Sequence, residues 1–68
     1  MVIAVAVNGE MQEFDAPLTV AELMQRLGVE PKKVAIERNL TIVPRSEHTH
    51  VIVDEGDRIE IVEFIGGG

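Results

Sequence analysis

Asn8-Gly9 lies between two strand-like runs, Val2 to Val7 and Gln12 to Phe14. This dipeptide tolerates positive φ at both central positions of a type I′ turn, whose twist matches that of paired strands, so the chain opens with a β-hairpin. A two-residue turn places Val7 opposite Glu10, Val5 opposite Gln12 and Ile3 opposite Phe14. Ile3, Val5, Val7 and Phe14 then share the core face, while Ala4, Ala6 and Met11 lie on the outer one.

The segment after the hairpin reads as a helix. Thr19-Val20-Ala21-Glu22 is a capping box, flanked by Leu18 and Leu23 as a hydrophobic staple. Val20, Leu23, Met24 and Leu27 recur at helical spacing, and Gly28 supplies the left-handed residue that stops the helix, giving bounds of about residues 20–27. Pro31-Lys32-Lys33 makes a turn. Val34-Ala35-Ile36 reads as a buried strand and Thr41-Ile42-Val43 as a second, stopped by Pro44. Ser46 to His50 reads as an irregular turn, Asp54-Glu55-Gly56-Asp57 as a tight acidic turn, and Arg58 to Phe64 as the last strand. A hairpin followed by a helix cannot continue as a simple meander. The helix stripe is buried most economically across a sheet completed by the later strands, which makes an α+β roll. At 68 residues there is one core, burying roughly 60% of the surface of the unfolded chain.

Composition removes most chemistries. The chain has no cysteine, tyrosine or tryptophan and a single serine, Ser46, so no nucleophilic triad can be assembled and no residue is nominated as catalytic. His48 and His50 are expected to be surface turn histidines. His-x-His on a strand could begin a zinc site, but no second cluster completes it, so no metal site is assigned. The carboxylates are spread around the chain and read as solvated. Those around Gly56 lack the spacing of a calcium loop. A net charge of −6 argues against nucleic acid, which is held by clustered Lys and Arg. The apolar start lacks a basic flank and ends at Asn8, too short for a signal peptide or a membrane span, so the expectation is a cytoplasmic protein and a monomer on its own.

Two features remain. Gly66-Gly67-Gly68 is followed by no helix and so is neither a P-loop nor a dinucleotide fingerprint. A Gly-Gly end is the thinnest backbone available and can enter a narrow tunnel in an enzyme. The other feature is phase. Ile59 and Ile61 share the inward parity of the last strand, but Val62 and Phe64 fall on the outward one. Either a bulge turns them in or they are exposed. If exposed, they and Ile65 join Ala4, Ala6 and Met11 in an apolar docking patch beside the glycines.

Val7-Asn8-Gly9-Glu10, Leu18-Thr19-Val20-Ala21-Glu22-Leu23, Val43-Pro44-Arg45-Ser46-Glu47, and Glu55 to Val62 running into Phe64-Ile65-Gly66-Gly67-Gly68 together make the chain resemble the ThiS family. These are the sulfur carriers of thiamine thiazole biosynthesis, within the ubiquitin-like β-grasp proteins. The resemblance implies a β-grasp domain over residues 1–65, with a mixed sheet and one main helix, and a flexible glycine tail over residues 66–68. It implies a group carrier rather than an enzyme, binding no cofactor itself. A ThiF-like adenylyltransferase would use ATP and magnesium to activate the carboxyl of Gly68. Sulfur from a cysteine desulfurase would convert that carboxyl to a thiocarboxylate, and a ThiG-like thiazole synthase would receive it. Gly66 and Gly67 would be the slender lead-in. A MoaD-like molybdopterin carrier, a protein modifier and a β-grasp interaction module without sulfur chemistry stay open as alternatives.

Overall fold

The computed structural model describes residues 1–64. Ile65, Gly66, Gly67 and Gly68, and with them the assigned tail, lie outside the described residues. Strands β1 (Ile3–Val7) and β2 (Glu10–Phe14) pair in the register that the two-residue turn requires. Asn8 and Gly9 adopt φ of 50° and 83°. Ile3, Val5, Val7 and Phe14 are all buried.

A short strand, β3 (Leu18–Thr19), leads directly into the helix α1 (Val20–Leu27). Both halves of the capping box form. The Glu22 N–H donates to Thr19 Oγ1 at 3.0 Å, and the Thr19 N–H donates to Glu22 Oε1 at 2.8 Å. Two further donors of the first turn, which no helix can satisfy internally, are met by the chain that returns beneath it. The Val20 and Ala21 N–H groups donate to the carbonyls of Val51 and His48 at 3.0 and 2.8 Å. That chain continues as β6 (Ile52–Val53), which pairs antiparallel with β3 to make a separate two-stranded ribbon. Gly28, at φ 72°, ends the helix in the left-handed conformation.

The main sheet is mixed, in the order β2-β1-β7-β4-β5, with β4 spanning Val34–Arg38, β5 Thr41–Val43 and β7 Arg58–Glu63. Among the described residues only β1 and β7 are parallel, a pairing that needs a crossover, and α1 with the segments after it provides one. Val20, Leu23 and Met24 of the helix join Ile3, Val5, Ile36, Val53 and Ile59 in a single core.

The β4–β5 turn carries no glycine signal. Asn39 and Leu40 occupy it with φ of 52° and 71°, and its partners explain how. The Asn39 N–H donates to the Arg58 carbonyl at 2.8 Å, and Asn39 Oδ1 accepts from the Arg58 N–H at 2.9 Å. Asn39 Nδ2 donates to Asp57 Oδ1 at 3.0 Å. Asp57 departs from the expectation of solvated carboxylates, being only 9% exposed. It also accepts from Arg38 Nε at 2.9 Å and from the Asp54 N–H at 2.8 Å. Burial would push its carboxyl up. The Asp54 N–H, the Asn39 amide and the Arg38 guanidinium outweigh that and hold it below the ordinary value. At the start of α1, hydrogen bonds from the Thr19 N–H and the Thr19 side chain, with Arg26 nearby, lower Glu22.

Both groups bind a proton less readily folded than unfolded. Their contribution is therefore complete above the unfolded pKa values, about 4, and is lost as pH falls through the lower folded ones. Thermal melts should show Tm falling below about pH 4, with a shallower fall in Asp57→Asn. An unchanged slope in that variant would remove Asp57 from the acid transition.

Candidate functional site

The site is best built from β7 outward, because β7 is the strand that leads to residues 65–68. It lies in the middle of the sheet. On one side β4 pairs with it from Arg38↔Ile59 to Val34↔Glu63, and the Phe64 N–H extends this ladder to the Lys33 carbonyl at 2.8 Å. On the other side the β1 backbone reaches only Val7↔Ile59. The Asn8 side chain then takes over: Nδ2 donates to the Ile61 carbonyl at 3.2 Å, and the Ile61 N–H donates to Oδ1 at 2.7 Å. A primary amide here mimics one more peptide of the parallel ladder. Asn8 thus clamps β7 as well as forming the turn. Sequence reasoning saw only the turn, because an Asn-Gly dipeptide carries no sign of which distant strand its amide will meet.

The paired register settles the phase of the last strand. Pairing with β4 is continuous through Glu63 without a bulge, and Val62 and Phe64 are 55% and 60% exposed. Ile59 is fully buried and Ile61 packs against the core.

The same register divides the set of apolar residues grouped as one patch. Ala6 lies opposite Arg58 on β7 and opposite Met11 on β2, four residues before Val62, which is roughly 13 Å along a strand. Glu60 and its β4 partner Glu37 fall between them. Ala4, Ala6 and Met11 therefore sit at the start of β7, and Val62 and Phe64 at its end. Alternation predicted the shared face correctly. The parallel pairing of β1 with β7, which sets the positions along it, has no local signal.

Beside Phe64, where β4 begins and β5 ends, is a groove of about 280 Å³. Its walls include Ala35, Ile42, Pro44 and Phe64, with Lys32 and Arg45 among the residues that line it. His48 borders the same groove, and here the expectation of two surface histidines is corrected. His48 is 5% exposed, and its Nε2 lies 3.1 Å from the Val43 carbonyl. A carbonyl can only accept, so Nε2 carries a hydrogen, and Nδ1 has no hydrogen-bond partner among the described residues. The cause is the short 3-10 turn Arg45–Glu47, which folds His48 inward under the start of α1. His50 stays exposed, so the two rings do not share a face. Among the described residues no three His, Asp or Glu side chains converge as metal ligands, and no helix is long and apolar enough to cross a membrane.

The geometry is thus a clamped strand that delivers the chain to residue 65 beside an exposed apolar edge. The ThiS family matches residues 5–68. A thiazole synthase of Paramagnetospirillum magneticum is 55% identical over 62 residues, which are 91% of this chain and 19% of that protein. The chain therefore spans about a fifth of that relative's length. The sulfur carrier protein ThiS of Escherichia coli is 34% identical over 61 residues, covering 90% of this chain and 92% of its own. The crystal structure of a thiamine biosynthesis protein (ThiS) from Geobacter metallireducens superimposes with a TM-score of 0.86 at 32% identity, covering 97% of this chain and all of that one. With the sequence match spanning nearly its whole length and the architecture shared, the chain belongs to the ThiS family.

Proposed function

We propose that the chain is a carrier of activated sulfur in thiamine thiazole formation, holding the sulfur as a thiocarboxylate on Gly68. The observation that supports this most directly is that the family match runs through residue 68 and so includes all three glycines. The chain contributes no catalytic side chain. It offers a carboxyl group on a stem without Cβ atoms, and partner enzymes act on it as they do on group carriers generally.

A free carboxylate resists nucleophiles because its charge is delocalised and oxide is a poor leaving group. In the first step a Gly68 carboxylate oxygen attacks the α-phosphorus of ATP on a ThiF-like adenylyltransferase. Pyrophosphate departs, and magnesium on that enzyme balances the phosphate charge. In the second step a persulfide from a cysteine desulfurase attacks the acyl carbon and AMP leaves, giving an acyl disulfide; a thiol reductant such as excess cysteine then cleaves the S–S bond, taking the other sulfur away in a disulfide and leaving one oxygen replaced by sulfur. The chain has no cysteine to hold sulfur any other way. A ThiG-like synthase is the acceptor, a reading supported by the thiazole synthase relatives that contain a segment similar to this chain. A cytoplasmic location would supply the ATP that this chemistry needs.

Intact mass tests the reading. Incubation with a ThiF-like enzyme, ATP, magnesium, a cysteine desulfurase and cysteine should raise the mass by the difference between sulfur and oxygen. No change with an enzyme that loads another ThiS protein would sink it. Val62 and Phe64, the exposed end of β7, would face these partners. Phe64→Asp should raise KM for the carrier several-fold while costing less than about 1 kcal/mol of stability, since Phe64 is largely exposed. A collapsed fold in that variant would show that Phe64 is structural.

A further inference from the structure

Asn8 is at once the first residue of the turn and the clamp on β7, and the two roles meet in an amide that is open to a reaction neither of them uses. Its backbone N–H donates to the Ile59 carbonyl at 2.9 Å, and its side chain meets both the N–H and the carbonyl of Ile61, at 2.7 and 3.2 Å. The residue that follows is Gly9, whose peptide nitrogen has no Cβ beside it to shield it. A Cβ built on Gly9 would meet nothing within 4 Å, and Asn8 and Gly9 are both exposed to water. Asn39, the other asparagine of the chain, is followed instead by Leu40, whose branched side chain hinders the nitrogen that would have to react.

We propose that Asn8 is a site of self-modification, at which the Gly9 nitrogen displaces the side-chain amide as ammonia, that the Ile61 clamp sets how often this happens, and that the product releases the end of β7. In the first step the Gly9 peptide nitrogen, having given its proton to hydroxide, bonds to Asn8 Cγ. The Cγ–Nδ2 bond breaks, and ammonia leaves with a proton taken from water. Water then opens the cyclic imide at either carbonyl, giving aspartate or, with one more methylene in the backbone, isoaspartate. The attack needs Cγ to turn toward Gly9, whereas both polar atoms of the amide are tied to Ile61. The folded amide is therefore held back and reacts when the clamp opens locally. The product cannot rebuild that clamp. An ionised carboxylate accepts but does not donate, so an oxygen would face the Ile61 carbonyl where Nδ2 now donates to it. The carboxylate must turn away, which also weakens its hold on the Ile61 N–H. Isoaspartate in addition lengthens the turn that sets the register of β1 on β2. In either form β7 loses its support on the β1 side beyond Val7↔Ile59, on the stretch that leads through Phe64 to residue 65.

The experiment holds the full chain in mildly alkaline buffer, folded and in enough urea to unfold it, and follows intact mass and peptide maps. Loss of ammonia should be confined to Asn8, with Asn39 unchanged, and should run at least tenfold slower in the folded chain than in the unfolded one. No reaction at Asn8 in urea, or a reaction at Asn39 equally fast, would overturn the site. Equal rates in the folded and unfolded chains would overturn control by the clamp. Amide exchange followed by NMR tests the consequence. In Asn8→Asp the Ile61 N–H should exchange at least fivefold faster than in the unmodified chain, while the Asn39 N–H, held by the Arg58 carbonyl at 2.8 Å, keeps its rate. Unchanged exchange at Ile61, or an equal rise at both amides, would overturn local release of β7. Chain aged in the folded state and separated by its added negative charge should show the same pattern, which covers the isoaspartyl form and serves in place of Asn8→Asp if that variant does not fold. None of these outcomes depends on the carrier reading, so the two can fail separately.

Discussion

Removing Gly68 should abolish the gain of sulfur while leaving the Tm of the domain where it was. The described fold reaches its last backbone hydrogen bond at Phe64, whose N–H meets the Lys33 carbonyl. Among the described residues the buried core lies between Ile3 and Ile59, with Ile61 packed against it. A shortened chain still ends in a carboxylate, now on Gly67, so the loss would not come from removing the functional group. It would come from reach. Each extended residue adds at most about 3.6 Å. In-line attack on phosphorus requires reacting atoms roughly 3–3.5 Å apart, and a displacement of only about 1 Å can cost a hundredfold in rate. The shortened carrier should therefore show no detectable sulfur by intact mass after a time at which the unmodified chain is fully converted. Adding a fifth residue after Phe64, such as an alanine after Gly68, should fail for the same reason. If the shortened carrier loads at the normal rate, the reactive carboxyl is not held at a fixed distance from the domain. If its Tm falls by several degrees, the tail is part of the fold.

How unevenly the molecule can be read from its sequence follows from which contacts fix each element. Local signals were sufficient wherever one short segment determines its own geometry. Asn8-Gly9 set the register of β1 and β2. Thr19 and Glu22 set the start of α1, and Gly28 its end. The outward parity of Val62 and Phe64 was visible from alternation, although exposure had to be decided by the unbroken ladder with β4. What was not legible depends on contacts between segments far apart in the chain. His48 is buried because its own carbonyl meets the Ala21 N–H and its ring meets the Val43 carbonyl. Neither partner is adjacent in sequence. Asp57 looks like any acid in a turn until Arg38 and Asn39 are brought to it by β4. Ala4, Ala6 and Met11 share a face with Val62, yet the parallel pairing of Ala6 with Arg58 carries them to the opposite end of β7. The groove at Lys32, Arg45 and Phe64 joins three separate stretches of chain and could not have been assembled from periodicity.

The second large effect is expected in the helix, which contributes nothing to the chemistry directly. Leu23 is completely buried, and Leu→Ala at such a site costs about 3–5 kcal/mol, from lost transfer energy and an unfilled cavity. A domain of this length has roughly 3–10 kcal/mol in total, so Leu23→Ala should consume between a third and all of it. Urea unfolding should show a midpoint far below that of the unmodified chain, and Tm should fall by roughly 15 °C or more. The loss should be global rather than confined to α1. Leu23 packs in the same core as Ile36 and Ile59, and Ile59 belongs to the strand that Asn8, β1 and β4 hold in place. Weakening the helix layer therefore lowers the stability of the whole core, β7 included. Sulfur loading of Leu23→Ala should track the folded fraction as temperature is raised, with normal KM and kcat per folded molecule at low temperature. A variant that stays folded but loads slowly would contradict this, because it would show that α1 touches the activating enzyme. A cost below about 1 kcal/mol would mean that the cavity collapses, and that the helix is a less important layer of the roll than its burial indicates.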